Sequence, residues 1–512
     1  MQAVHRVAKN TGILYVKMAI TLFISLYSTR LVLAALGAED FGLFNLVGGV
    51  IAMLGFLNAS MAASSQRFMS FAQGAGDLDK VKKIFNVSTL LHLCIAGVIV
   101  IAFEIVGYFL FNGILNIADN RMFVAKMIYQ FMVISTFFTV ISVPYEAVIT
   151  SHENMLFYAI EGIAEAVIKL SIAFYITYDE NDHLIMYGFL MALMSIFLLV
   201  LRRVYCHWKY QECEIKIRQY YDKSLFKEMS SFAGWSLLGS SSSMIAFYGQ
   251  GIVINMFFGT VVNAAQGIAA QISGQLSLLA NTLMVALNPM IVKSAGAGDK
   301  QMMLKASMMG SKISFFLLAI LFIPFIIEMP FILEFWLKNV PEYTIVFCRL
   351  LLLRNLIEQL YMPLITAINA VGNIKSFQKI LGLINLVPLV VSYVLFSMGF
   401  SPVNIYLVFI GYSVLKFVIV LYFAKTNCDL SIPFFLKNIV LKCAVIFLLG
   451  IVTSIIPSLF LQNKFIQLIE VLFLGGIFFL GFIWVIGLNG EERSLVVNFK
   501  KSLMMKFKRR EG

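Results

Sequence analysis

Apolar stretches of roughly 20 or more residues recur about fourteen times between residues 11 and 488, each long enough as a helix to cross about 30 Å of hydrocarbon. With 60% apolar residues, 13% charged residues and a mean hydropathy of +0.88, the chain carries more hydrophobic surface than one soluble core could hide. Lipid cannot satisfy free backbone amides, and the long runs lack the alternating polar residues of a water-filled barrel, so the architecture is predicted to be a helical bundle. The expected fold class is an all-α membrane protein of about 14 transmembrane helices. The first run is too long for a signal peptide and no small-residue cleavage site precedes the next one, so it is expected to remain as helix 1. Cys94, Cys206, Cys213, Cys348, Cys428 and Cys443 are scattered; they form neither a disulfide ladder nor a metal cluster and are read as reduced and structural.

The chain is internally duplicated. Gly74 to Asp77 and Gly296 to Asp299 both read GAGD, and the same ungapped shift superposes Gly12 on Gly234 and Gly37 on Gly259. A slightly shorter shift places Pro144 on Pro363 and Asn154 on Asn373, as if the second copy had lost a few loop residues. Two related halves around a central site is a common plan of secondary transporters. The predicted organisation is an N-terminal six-helix lobe (1–205), a basic inter-lobe linker (206–227), a C-terminal six-helix lobe (228–427), helices 13 and 14 (428–490) and a basic tail (491–512). In that tail Val496, Phe499, Leu503 and Phe507 recur at helical spacing among Lys and Arg, the pattern of an amphipathic helix on an anionic leaflet; a disordered stop-transfer tail is the alternative.

Most of the 39 Lys and Arg fall on one side if the N-terminus is cytoplasmic, including Arg67, Lys80, Lys82 and Lys83 after helix 2 and Lys293, Lys300, Lys305 and Lys312 after helix 8. The opposite loops lean acidic, with Glu39, Asp40, Asp179, Glu180, Asp182 and Glu328. The net charge of +12 thus reads as topology and adhesion to anionic lipid, without nucleic acid, and both termini are expected to be cytoplasmic. Six helices per copy is an even number, so the copies enter from the same side and the repeat is parallel.

Ionised groups in mid-bilayer cost at least about 2.5 kcal/mol and are the site candidates. Lys17 and Arg30 lie on helix 1, Lys169 on helix 5, Arg349 and Arg354 on helix 10, and Lys416 on helix 12, with Glu104, Glu146, Glu161, Glu165, Glu358 and Glu470 as the acids. Arg30 and Lys416 lack an opposite charge three or four residues away on their own helices, which suits them to an anionic ligand, and Arg354 joins them as a candidate. Lys17 is either a ligand or a snorkelling lysine, and Arg349 either a ligand or an interfacial one. Glu161, Glu165 and Lys169 share one helix face, so the unpaired carboxylate takes a proton or sodium ion, or the trio is a self-neutralised stripe. Glu146, Glu161, Glu165 and Glu358 are the ion-coupling candidates. Helices 7 and 8 add a polar set from Ser236 to Asn288, of which Gln250, Asn255 and Gln271 are taken as cargo contacts; the competing reading is packing between helices. No nucleotide-binding Gly-rich loop, HExxH or GxSxG motif occurs, and no catalytic, metal or cofactor residue is assigned.

Three passages, STRLVLAALGAEDFGLFNLVGGV, SVPYEAVITSHENMLFYAIEGIAEAVIKL and FILEFWLKNVPEY with the following RLLLLRNLIEQ, resemble bacterial polysaccharide-biosynthesis flippases. These O-antigen-type exporters of lipid-linked oligosaccharides belong to the multidrug/oligosaccharidyl-lipid/polysaccharide superfamily. The resemblance implies two six-helix lobes in a V, two extra C-terminal helices, a bacterial cytoplasmic (inner) membrane location and a central cavity for a polyprenyl-diphosphate-linked glycan used in lipopolysaccharide or other surface-polysaccharide synthesis. The expected partners are that glycan, H+ or Na+, anionic membrane lipids and polysaccharide polymerase machinery. The nearest rival reading is a multidrug/cation antiporter of the same superfamily. A glycan-polymerising membrane enzyme would need a larger outer loop than this chain offers, and a non-transporting scaffold would not need so many buried charges.

Overall fold

The structure, a computed structural model, describes residues 2–53, 55–114, 119–178, 182–337, 340–461, 463–490 and 492–494. Every regular element among them is helical. In chain order these are α1 Gln2–Met53, α2 Gly55–Gly74, α3 Leu78–Phe109, α4 Asp119–Ser151, α5 Met155–Tyr175, α6 His183–Lys209, α7 Ile217–Tyr220, α8 Lys223–Gly296, α9 Lys300–Leu337, α10 Thr344–Val371, α11 Lys375–Ser397 and α12 Val403–Cys428. Two further apolar runs, Ile432–Ile456 and Lys464–Gly487, follow. The chain is an all-α membrane protein.

Ten stretches among the described residues are long and apolar enough to cross a bilayer. Neither α5 nor α10 is among them, although 21 and 28 residues make roughly 30 and 40 Å of helix. What sets them apart is charge: Glu161, Glu165 and Lys169 on α5, and Arg349, Arg354 and Glu358 on α10.

With 52 and 74 residues, α1 and α8 are each too long for one crossing, and each is broken by a glycine: Gly37 at φ 76° and Gly259 at φ 77°. Only glycine adopts that conformation without strain. The two positions superpose in the duplicated register. So do Gly76 and Gly298, both at φ 74° in the GAGD turns, where Asp77 and Asp299 cap the next helices by accepting from the amides of Lys80 (2.9 Å) and Met302 (2.8 Å). In the shorter register Glu153 (φ 55°) meets Gly372 (φ 99°), both ending a helix in the left-handed region. The duplication is written into the backbone as well as the letters.

The chain divides into two compact units, one of Met1–Thr11, Ser241–Ala295 and Asp299–Gly512, the other of Gly12–Ser240 and Gly296–Gly298. In the second, acids that the sequence places in loops are bound: Arg121 of α4 donates to Asp40, with Nε at 2.9 Å, and to Asp182, the cap of α6. The connection after α6 is also tied down. Asn86, 1% exposed, donates to the Glu214 carbonyl (2.8 Å) and accepts from the Lys216 amide (2.9 Å), and His152 donates to buried Glu212. Burial pushes the Glu212 carboxyl up, but the His152 hydrogen bond, a backbone amide and the His152 charge outweigh it and hold the group below the usual carboxylate range. α6 itself continues to Lys209, past the predicted lobe boundary at 205.

In the first unit, α9 is irregular at Glu328 (φ −94°, ψ 17°), between Pro324 and Pro330. Pro330 has no N–H for the Ile326 carbonyl. Arg349 of α10 supplies the missing donors, Nε at 2.8 Å from the Ile326 oxygen and a terminal nitrogen at 3.3 Å from that of Ile327, so it is a structural cap and not a snorkelling cation. Arg349→Met is expected to lower stability in detergent by about 1–3 kcal/mol, the cost of an orphaned buried acceptor. Unchanged denaturation in micelles would refute that role. Lys312, assigned from the sequence to a basic loop, is 1% exposed; it donates to Glu492 (2.6 Å) and to the Gly487 carbonyl (3.0 Å) at the end of the last helix. The predicted amphipathic tail from residue 495 onward lies outside the described residues.

Candidate functional site

Helical periodicity places Tyr158, Glu161, Glu165 and Lys169 of α5 on one face, and α1, α4 and α6 bring further polar groups to it. Glu161, 3% exposed, accepts from Arg202 Nε of α6. The same guanidinium donates to Ser142 Oγ of α4 at 2.7 Å and reaches Glu146 at 3.5 Å. One turn along, Lys169 pairs with Glu165 at 2.6 Å. Lys17 of α1 sits with Nζ 3.9 Å from the centre of the Tyr158 ring and within electrostatic reach of Glu165, Glu146 and Glu161. Its room is supplied by Gly162, where a methyl group would lie 2.6 Å from Nζ.

Lys17, Lys169 and Arg202 therefore balance Glu146, Glu161 and Glu165, and none of the three carboxylates is unpaired. That corrects one branch of the sequence reading. Arg202, near the end of the predicted N-terminal lobe, is not among the charges that the sequence analysis singles out. The available signal was the apolar run through Leu201, which continues the helix past Arg202 to Lys209.

A second cluster lies in the other unit, on α10 and α12. Arg354 Nε donates to Glu358 at 2.9 Å, Ser413 Oγ donates to the same oxygen at 3.2 Å, and the guanidinium lies 4.8 Å from the Phe409 ring. Lys416 stands between the rings of Tyr361 (5.7 Å) and Tyr412 (5.9 Å), within electrostatic reach of Glu358 and Arg354. Tyr412 donates to Asn385 of α11, which donates to Ser242 Oγ (2.8 Å) and Ser243 Oγ (2.9 Å) of α8. This cluster has two cations for one carboxylate, and the Arg354 fork and Lys416 ammonium have donors beyond those that the Glu358 contacts use.

The predicted residues thus fall into two groups. Lys17, Glu146, Glu161 and Glu165 meet in one unit; Arg354, Glu358 and Lys416 meet in the other. Glu358 is therefore not grouped with the other ion-coupling candidates. Gln250 is 3% exposed, with an Nε2 that has no hydrogen-bond partner among the described residues, whereas Gln271 is exposed. The side chains of Arg30 and Asn255 lie outside the described residues. Ser242 and Ser243 from the polar set join helices, as the packing reading expects. No group of three or more potential metal ligands occurs among the described residues.

No protein-family model matches the chain, and no curated protein matches it in sequence. Solved structures do. A MATE point mutant aligns with a TM-score of 0.73 at 14% identity, covering 83% of this chain and 96% of its own. An outward-facing multidrug resistance MATE family transporter of the MOP superfamily gives 0.71 at 13% identity, over 83% and 95%. A MOP superfamily transporter from Pyrococcus furiosus, whose binding pocket is described as having reverse polarity that suggests a different function, gives 0.71 at 13%, over 83% and 96%. The chain has the fold of the MATE transporters.

Proposed function

We propose that the chain is a secondary transporter that moves its cargo by alternating access, in a bacterial cytoplasmic membrane, without catalysing a chemical reaction. The observation that carries this is the shared fold over 83% of the chain, joined to two charge clusters within helices of membrane-crossing length, where ionised groups are costly to place in lipid. The balanced cluster around Glu161, with Glu146 and Glu165, is the proposed site of coupling to H+ or Na+, because adding or removing one monovalent cation there changes a neutral network into a charged one.

Two cargo readings compete, each with its own support. The similar solved structures are MATE transporters, one of them named for multidrug resistance, which favours an antiporter of organic cations. The comparisons weigh toward that reading. The excess positive charge of Arg354 and Lys416 over Glu358, and the sequence resemblance to exporters, favour the diphosphate of a polyprenyl-linked glycan. The Pyrococcus furiosus transporter indicates that pocket polarity differs among proteins of this fold. Reconstituted vesicles bearing an imposed pH or sodium gradient separate the readings. Uptake of a fluorescent organic cation with no movement of a labelled polyprenyl-diphosphate oligosaccharide establishes the antiporter, the converse establishes the flippase, and movement of neither overturns the transporter proposal.

A further inference from the structure

Among the described residues, α3 and α4 present an apolar face that no other helix covers. Cys94, Ile101, Ile105 and Tyr108 of α3 are exposed at helical spacing, beside exposed Phe123 and Ile134 of α4. The second sequence copy covers the matching face. In the register that superposes the two GAGD turns, Leu93, Cys94 and Ile101 of α3 fall on Phe315, Phe316 and Ile323 of α9. Those three are buried under the two apolar runs that follow α12. Phe315 meets the Phe447 ring at 6.1 Å, Phe316 meets the Phe479 ring at 6.2 Å, and Ile323 seats on Gly450, where a methyl group would lie 2.7 Å from its Cδ1. Ile323 is 2% exposed and Ile101 is 62% exposed.

Charge sets the α3–α4 face apart from one that merely meets lipid. Glu104 of α3 is exposed within it and accepts from Gln130 Nε2 of α4 at 3.2 Å. Gln130 lies about 16 Å along α4 from Asp119 at its loop end, well inside a hydrocarbon layer of about 30 Å. The carboxylate thus has a neutral donor at a depth where an ion needs a counter-charge. Lys126, one turn nearer the start of α4, is also exposed and forms no ion pair among the described residues. Helical periodicity turns Lys126 and Gln130 away from Ser142 and Glu146, which mark the side of α4 that meets the Glu161 cluster. One acid and one base, about a turn apart in depth, complement each other across a two-fold axis along the membrane normal, where each copy meets the same surface of the other.

We propose that the exposed α3–α4 face is the interface of a homodimer in the membrane, in which Glu104 of each copy pairs with Lys126 of the other. Pairing covers the α3 stripe as the last two helices cover α9, and the charges fix its register. Full-length copies tagged with either a donor or an acceptor fluorophore are co-reconstituted in vesicles of phosphatidylcholine and phosphatidylglycerol, and energy transfer is followed as added lipid dilutes the protein. Transfer between unaltered copies is expected to persist on dilution. Glu104→Lys alone and Lys126→Glu alone are each expected to weaken pairing at least about tenfold, because like charges then face each other. Mixing the two variants is expected to restore it, since a copy with two bases then meets a copy with two acids. A substitution that merely misfolded its own chain would not be repaired by the mixture. Three results each overturn the interface: transfer no greater than that of freely diffusing monomers, single variants that pair as the unaltered protein does, or a mixture that fails to recover. The first of these assigns the face to lipid.

Discussion

Replacing Arg202 by Met is expected to destabilise the protein by about 3–5 kcal/mol, the cost of leaving a buried carboxylate without its counter-ion. Glu161 is 3% exposed, and Arg202 is the cation that pairs with it. The loss should appear as reduced membrane yield and a lower unfolding temperature in detergent. Glu161→Gln combined with Arg202→Met should restore much of the stability, since the pair is then removed together and only the hydrogen bonds to Ser142 and Glu146 are missing. That rescue is the discriminating measurement. If the double variant is no more stable than Arg202→Met, the ion pair is not what holds α4, α5 and α6 in register at this depth.

Converting Arg354 to Gln and Lys416 to Met together is expected to cut transport of an anionic cargo at least about tenfold while leaving the fold intact, because the charge-assisted hydrogen bonds to an oxyanion go with those two groups. The fold should survive because α10 and α12 are also joined by buried apolar contacts, among them the Phe347 and Tyr406 rings at 4.4 Å. The Glu358 carboxylate, with its side chain 25% exposed, would keep Ser413 as a partner but lose its cations, so the triple variant that adds Glu358→Gln is the proper companion. Under the cation-antiporter reading the same double variant should instead retain or improve uptake of an organic cation, since two repulsive charges have been removed. Unaltered movement of both probes would show that this cluster does not face the cargo.

Much of the architecture was legible from local physics. The apolar runs mark the helices, and the paired glycines at 37 and 259, and at 76 and 298, mark the turns, because a left-handed backbone selects glycine wherever it occurs. The site was legible only as an inventory. Lys17, Glu161, Glu165, Arg354 and Lys416 stood out as charges in lipid-length segments, yet Arg202 was not singled out, Lys312 was counted with the basic residues after helix 8 and Arg349 was left as either a ligand or an interfacial cation. Asn86 is a further case: in the folded chain it pins the segment between α6 and α8.

The reason lies in the solvent. In water the apolar stripe of a helix shows which face is buried, but in a bilayer lipid and protein interior are equally apolar, so the rotation of a helix leaves little trace in its hydropathy. The sequence by itself therefore determined that this chain is a duplicated bundle of membrane helices, where it turns, and which residues are too costly to face lipid. Tertiary structure decided who meets whom: that Arg202 belongs to Glu161, that Lys17 rests on Tyr158, that Lys416 shares Glu358 with Arg354, and that Gly296 lies on Phe71. Such pairings depend on helix rotation and depth relative to partners far away in the chain, which no local pattern encodes.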